Sequence, residues 1–468
     1  MLEDLRPYPE TKPTGLPWLG EVPALWDVRR NGRLFGARRE TGFPALPVLE
    51  VSIRSGVRIR DFDNGGRKQE IADRSKYQRA VRGDIAYNMM RMWQGAVGIA
   101  PTDGLVSPAY VVARPFSETD AAYYAYLFRT ASYMREIDVF SRGIVPDRNR
   151  LYWESFKQMP SAYPPLDEQR LIVRFLDWHG AQTAKLIRAR KKLVALLNEQ
   201  KRVIIHHSVT RGLDPSVKLK PSGVPWLGDV PEEWDVVPLK RIAIFKSGTG
   251  FPVGEQGSKD LEIPFLKVSD MTLPGNERCI DSWNNSISRE TAMELGATVF
   301  PRDTIIFPKV GGAMLTNKRR ILKQESCIDN NLMGCVVNNG DLSYFFLTLQ
   351  QIDLGKISKP GPVPAIGEGD VREVGVARPP IEEQHKIVGW LDHKSRDANR
   401  GISTVMSEIG LIQEFRTRLI ADVVTGKLDV RALAASLPET AELEPTDEPV
   451  EDDLGEAVEE ADAEEETA

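Results

Sequence analysis

The stretch KPTGLPWLGEVPALWDV at residues 12–28 returns as KPSGVPWLGDVPEEWDV at residues 220–236, identical at twelve of seventeen positions. Three of the five differences are mild: Thr for Ser, Leu for Val and Glu for Asp. Chance does not write a Trp-rich sentence twice, so the chain is read as an internal duplication. A second matching pair closes each half. PPLDEQRLIVRFLD from residue 164 answers PPIEEQHKIVGWLD from residue 379, an offset of 215 against 208 at the start. The same offset lays SVTRGLD (208–214) on VVTGKLD (423–429) without a gap. The second copy has therefore gained seven residues net within its middle. Each copy reads as a Trp-rich opening, a variable body and a long helical segment.

The segments after the Pro-Pro pairs carry the clearest periodicity. Pro165 suits the start of a helix, where its missing N–H costs little, and Asp167 and Glu168 suit the positive end of the helix dipole. Apolar residues then fall at Ile187, Val194, Leu197 and Ile204, and in the second copy at Ile402, Ile409, Ile412 and Leu419. Spacings of seven with interleaved threes give one heptad-like stripe per helix. Two rods of about forty residues, roughly 60 Å each, most simply bury those stripes against each other. Repeats related by a two-fold axis make the pair antiparallel.

The bodies read as short strands separated by Gly, Asn, Asp and Pro: LPVLEVSI (46–53), GDIAYNMM (83–90), PAYVVARP (108–115), IPFLKVSD (263–270) and DTIIFPKV (303–310). Helical AAYYAYLFR (121–129) and LSYFFLTLQ (342–350) fall late in each body. The fold class is α+β with a curved sheet in each body.

The formal charge of −6 hides an asymmetry. Residues 438–468 hold fifteen Asp or Glu and no Lys or Arg, which leaves 52 acidic against 61 basic residues elsewhere, a body of +9. Such a body is permissive for nucleic acid, and a tail so poor in large apolar side chains is expected to be disordered. Three cysteines in no ligand spacing, no signal-like start and no run of about twenty apolar residues predict a cytoplasmic protein without disulfides.

No catalytic constellation stands out. There is no GxxxxGK[ST] loop, SGTGFPVG (247–254) has the wrong glycine spacing, and EQK (199–201) lies mid-helix without an acidic strand before it. The five histidines make no zinc pattern, so no catalytic residue and no metal site is assigned. What remains is polar chemistry after one strand of each body. YNMMRMWQGAVG (87–98) offers Asn88, Arg91, Trp93 and Gln94. PKVGGAMLTNKRR (308–320) offers Lys309, Thr316, Asn317, Lys318, Arg319 and Arg320, followed by Asn330 and Asn331. Arg and Lys hold phosphates and read guanine, while Asn and Gln pair with adenine. Solvated loops are the bland alternative; their common slot in the two copies favours two different readers of DNA.

With its doubled PWLGEVPALW/PWLGDVPEEW, its doubled PPLDEQ/PPIEEQ and its TRGLD/TGKLD ends, the chain resembles the specificity subunit of type I restriction–modification systems over residues 5–430. The resemblance implies two pseudo-two-fold-related α/β target-recognition domains, at 1–163 and 211–378. It implies that two long antiparallel helices, at 164–210 and 379–430, join them as a coiled coil; the acidic tail at 431–468, expected from its composition to be disordered, is a departure from the family's pattern. The resemblance also implies that each domain reads half of a bipartite double-stranded DNA site. The helices act as ruler and as dock for modification (methyltransferase) subunits, and restriction/translocase subunits join them. It places S-adenosylmethionine, ATP and Mg on those partners, with no cofactor on this chain. A stand-alone two-headed DNA-binding regulator is the alternative, and a scaffold for RNA or protein a third.

Overall fold

Each long helix starts beside its Pro-Pro pair and stops at a glycine. The first spans Leu166–Arg211 and the second Ile381–Val424, so each is roughly 65–70 Å long. Asp167, Glu168, Glu382 and Glu383 fill the first turns, where the dipole favours negative charge. Gly212 and Gly426 lie just past the far ends with φ of 77° each, the left-handed conformation that a β-carbon opposes. The second helix therefore ends before the expected residue 430.

The computed structural model describes residues 5–60, 74–142, 149–359, 361 and 363–438. It divides into two units, residues 1–191 with 406–468, and residues 192–405. Each unit holds one body, the start of the long helix that follows that body, and the end of the other long helix. Within the first unit Arg190 pairs with Glu408 at 3.2 Å, and the rings of His179 and Phe415 lie 6.1 Å apart. Within the second, Lys201 Nζ donates to Asn399 Oδ1 at 2.9 Å, and Leu197 sits 3.9 Å from where a β-carbon on Gly401 would stand. Rising numbers on one helix meet falling numbers on the other, so the helices run antiparallel.

On the stripes, Ile409 and Leu419 are buried, and Ile187, Val194, Leu197, Ile204, Ile402 and Ile412 are half-buried. Val405, which the heptad reading passes over, is also buried. The outer stripe residues do not belong to the helix seam alone. Leu419 joins the core of the first unit, and Ile204 packs on the core of the second.

The two bodies share a sheet order. In the first unit four antiparallel strands run Phe35–Arg38, Tyr110–Pro115, Ile85–Asn88, Val97–Ile99. In the second, Ala243–Ser247, Leu332–Val337, Ile305–Pro308 and Arg320–Leu322 take the same four places, and Cys279–Ile280 adds a parallel edge. All five stretches read as strands from the sequence contain one, and the two expected helices form at Ala121–Phe128 and Leu342–Gln351.

The duplicated motifs explain themselves in the packing. Trp26 and Trp234 are fully buried. A β-carbon on Gly426 would stand 2.3 Å from Pro23 Cδ and 3.0 Å from the Trp26 ring, and one on Gly212 would stand 3.3 Å from Trp234. The body helix adds a hydrogen bond at the same place. Tyr123 Oη donates to the Val424 carbonyl at 2.8 Å, and Tyr344 Oη to the Val209 carbonyl at 3.0 Å. The motif glutamines tie the near ends of the long helices. Gln169 accepts from the Asp120 N–H and donates to the Pro164 carbonyl, and Gln384 does the same with Asp341 and Pro379.

The chain stays ordered past residue 430, which corrects the expected start of the tail at 431. Helix Arg431–Ala435 follows, and Val430, Ala434 and Leu437 belong to the core of the first unit. Residues 431–437 read RALAASL, largely apolar and without an acidic side chain, so they pack with the core and the acidic composition begins only after them. The acidic stretch from residue 439 lies outside the described residues.

Gly426→Ala is expected to destabilise the protein by about 2–5 kcal/mol, from left-handed strain plus overpacking against Pro23 and Trp26. Gly223→Ala, at a φ of 70° with open space around it, carries only the strain of about 1–2 kcal/mol. Thermal unfolding compares them; equal losses would show that the contact with Trp26 contributes nothing.

Candidate nucleic-acid interface

The strand pairings fix which residues of the two bodies correspond. Ile85 pairs with Ala113 and Ile305 with Cys335, while Arg38 pairs with Val112 and Lys246 with Gly334. Arg38 therefore matches Lys246, Met89 follows its strand as Lys309 does, and Pro108 precedes its strand as Asn330 does.

The candidates of the first body are largely committed to their own fold. Asn88 is buried, and its Oδ1 accepts from the Met90 N–H at 2.9 Å. Trp93 packs on the core and donates its indole N–H to the Met90 carbonyl at 2.9 Å. Arg91 is half-buried at the head of the turn Met92–Gln94, and Gln94 is exposed. A tight turn closed by Gly95, with a φ of 95°, leaves this stretch little surface to offer.

In the second body the row of basic residues splits. Arg319 is 1% exposed, so it is no surface reader. Its guanidinium donates to the Ile352 carbonyl at 2.8 Å and to Asn317 Oδ1 at 3.2 Å, and it lies 5.7 Å from the Phe307 ring centre. Burial pushes its pKa down to about 10, although the Asp353 charge opposes the shift. Asn317 holds that turn at a φ of 53°, its Oδ1 also accepting from the Leu354 N–H. Arg320 is half-buried and donates to the Arg319 carbonyl, and burial lowers its pKa too. Lys318 is half-buried, and Thr316 is exposed with its hydroxyl on the Ala313 carbonyl.

Lys309, Asn330 and Asn331 do come together. The Lys309 N–H donates to the Asn331 carbonyl at 2.9 Å and its own carbonyl accepts from Ile366. Asn331 is braced by the buried Asp329, whose carboxyl is pushed up by burial against its hydrogen bonds to Asn331.

At the corresponding place in the first body lies an open cleft of about 430 Å³, lined by Arg39, Lys76, Gln78, Met89, Pro108 and Tyr152 among others. Arg39, Lys76 and Tyr152 are exposed. Sequence reading missed Arg39, Lys76, Gln78 and Tyr152 because they come from three separate segments that only strand order assembles; no local motif marks them. Among the described residues no cluster of His, Cys, Asp or Glu is placed to hold a metal ion, and no helix is long and apolar enough to cross a membrane.

Comparison with known proteins agrees with this architecture. Residues 231–405 match the family model of the type I restriction modification DNA specificity domain. The type I restriction enzyme MjaX specificity subunit of Methanocaldococcus jannaschii is 23% identical over 88% of this chain and 96% of its own length. The MjaIX specificity subunit of the same organism is 23% identical over 75% of each chain. A solved structure from work on assembly and conformational transition of the type I R-M system covers 86% of this chain and 98% of its own, with TM-score 0.61 and 14% identity. It shares the fold.

Arg319→Ala is expected to lower the urea midpoint by the equivalent of about 2–4 kcal/mol, through the lost packing and an unpaired Ile352 carbonyl. Lys318→Ala is expected to stay within about 0.5 kcal/mol. A stable Arg319→Ala protein would place that guanidinium outside the fold's support.

Proposed function

We propose that this chain, which belongs to the type I restriction–modification specificity-subunit family, is the DNA-recognition subunit of such a complex, each body reading one half of a bipartite duplex site. The observation that carries the reading is the repeated sheet order with unlike residues at equivalent places, apolar Met89 and Pro108 in the first body against polar Lys309 and Asn330 in the second. One plan with two chemistries suits two unlike half-sites. The antiparallel helices suit a spacer that sets the half-sites near one duplex turn, about 34 Å, apart. Methyltransferase and restriction/translocase subunits are the partners. Those partners carry S-adenosylmethionine, ATP and Mg, this chain holds no cofactor, and the complex works in the cytoplasm.

Modified-base sequencing of host DNA with and without the gene tests the reading, the expected result being a bipartite methylated motif that vanishes with the gene. Transplanting residues 30–161 from a relative is expected to change one half-site and leave the other. The stand-alone regulator predicts tight site binding without partners and no effect on methylation. Freed of partners, the purified chain is expected neither to methylate or cut DNA nor to hydrolyse ATP; turnover that tracks with it would overturn the non-catalytic assignment. Leu197→Asp, which puts a charge into the half-buried helix seam where burial penalises it, is expected to weaken bipartite binding.

A further inference from the structure

We propose that the cleft of the first body and its counterpart in the second are the base-reading sites themselves, a proposal that rests on the DNA-recognition reading above. The first cleft combines three kinds of group in one place. Arg39 and Lys76 are exposed cations, and among the described residues neither has a carboxylate partner. Their neighbours Arg38 and Arg79 are neutralised: Arg38 by Asp84 and Glu40 at 2.6 Å, and Arg79 by Asp103 at 2.8 Å. The unpaired pair suits backbone phosphates, which cations hold without regard to sequence.

Gln78 sets the polar chemistry of the first cleft. Its Nε2 donates to the Tyr110 carbonyl at 3.0 Å, which leaves Oε1 as an acceptor. An acceptor pairs with the exocyclic amine of adenine or cytosine, and the apolar flanks of Met89 and Tyr152 suit a thymine methyl. The counterpart site in the second body offers the opposite chemistry. Lys309 stands where Met89 does and exposed Asn330 where Pro108 does, while Lys246 matches Arg38. Ammonium and amide donors suit the O6 and N7 acceptors of guanine. The sites share register but not chemistry, as two readers of different sequence require.

The test uses the full complex with its partner subunits, and reads the methylated motif by modified-base sequencing. Gln78→Ala and Tyr152→Ala are expected to relax base choice in one half-site, and Lys309→Met and Asn330→Ala in the other, each by about 5- to 150-fold in discrimination. Arg39→Ala with Lys76→Ala is expected to keep the motif and flatten the slope of log affinity against log salt by about 2. The untouched half-site serves as the folding control within the same molecule. Gln78, Tyr152, Lys309 and Asn330 variants that leave a wild-type motif intact, or any of these that blurs both half-sites together, overturn the cleft proposal alone, as does an unchanged salt slope for the Arg39 and Lys76 double variant. A wild-type complex that methylates no bipartite motif overturns the DNA-recognition reading and this proposal with it.

Discussion

The structure depends on a tryptophan set against the glycine-terminated end of a helix. Trp26 covers the turn at Gly426, and Trp234 covers the turn at Gly212. Each tryptophan belongs to one repeat and each helix end to the other. A buried indole contributes a large apolar area, and it does so only if the chain beneath it has no side chain. The tyrosine hydroxyls on the Val424 and Val209 carbonyls satisfy backbone acceptors that a helix end leaves open. The doubled motifs are thus two halves of one contact, and their spacing along the chain reflects the need for each repeat to complete the other.

The two clasps are not copies in detail. Trp234 donates its indole N–H to Glu383 at 2.9 Å, whereas the matching Glu168 accepts instead from Tyr8 Oη at 2.6 Å. Among the described residues the Trp26 indole N–H has no hydrogen-bond partner. Glu168 also lies 3.9 Å from Arg431, in the short helix that follows the second repeat's TGKLD turn. By the repeat offsets of 208 and 215, Tyr8 and Arg431 both fall on Ser216 in the second clasp, which carries neither a phenol nor a guanidinium.

What the sequence made legible was whatever repeats or alternates. The long helices, the strands at 85–88 and 305–308 and the antiparallel pairing all follow from periodicity and from the matched motifs. The surface chemistry did not. Asn88, Trp93 and Arg319 have the composition of readers, yet Asn88 and Arg319 are buried and Trp93 is tied to a main-chain carbonyl. Residue type cannot distinguish an arginine that holds a turn from one that meets solvent. Arg39, Lys76 and Tyr152 lie far apart in sequence and become neighbours only through the order of the sheet. Lys309 and Asn330 fell within the reading because Lys309 directly follows one strand and Asn330 lies in the polar stretch just before the strand paired with it.

The division of the chain also sets an order of events during synthesis. The second unit is one continuous stretch, residues 192–405, and can close as soon as it has emerged. The first unit cannot. Its core includes Leu419, Val423, Val424, Val430, Ala434 and Leu437, so Trp26 and Tyr123 wait for the last part of the chain. At about 5–20 residues per second, the ribosome takes roughly ten to forty-five seconds to travel from the end of the first long helix to those residues. Through that interval the first body, although made first, keeps an apolar face open to water and to chaperones, and the domain nearest the N-terminus is the last to be finished.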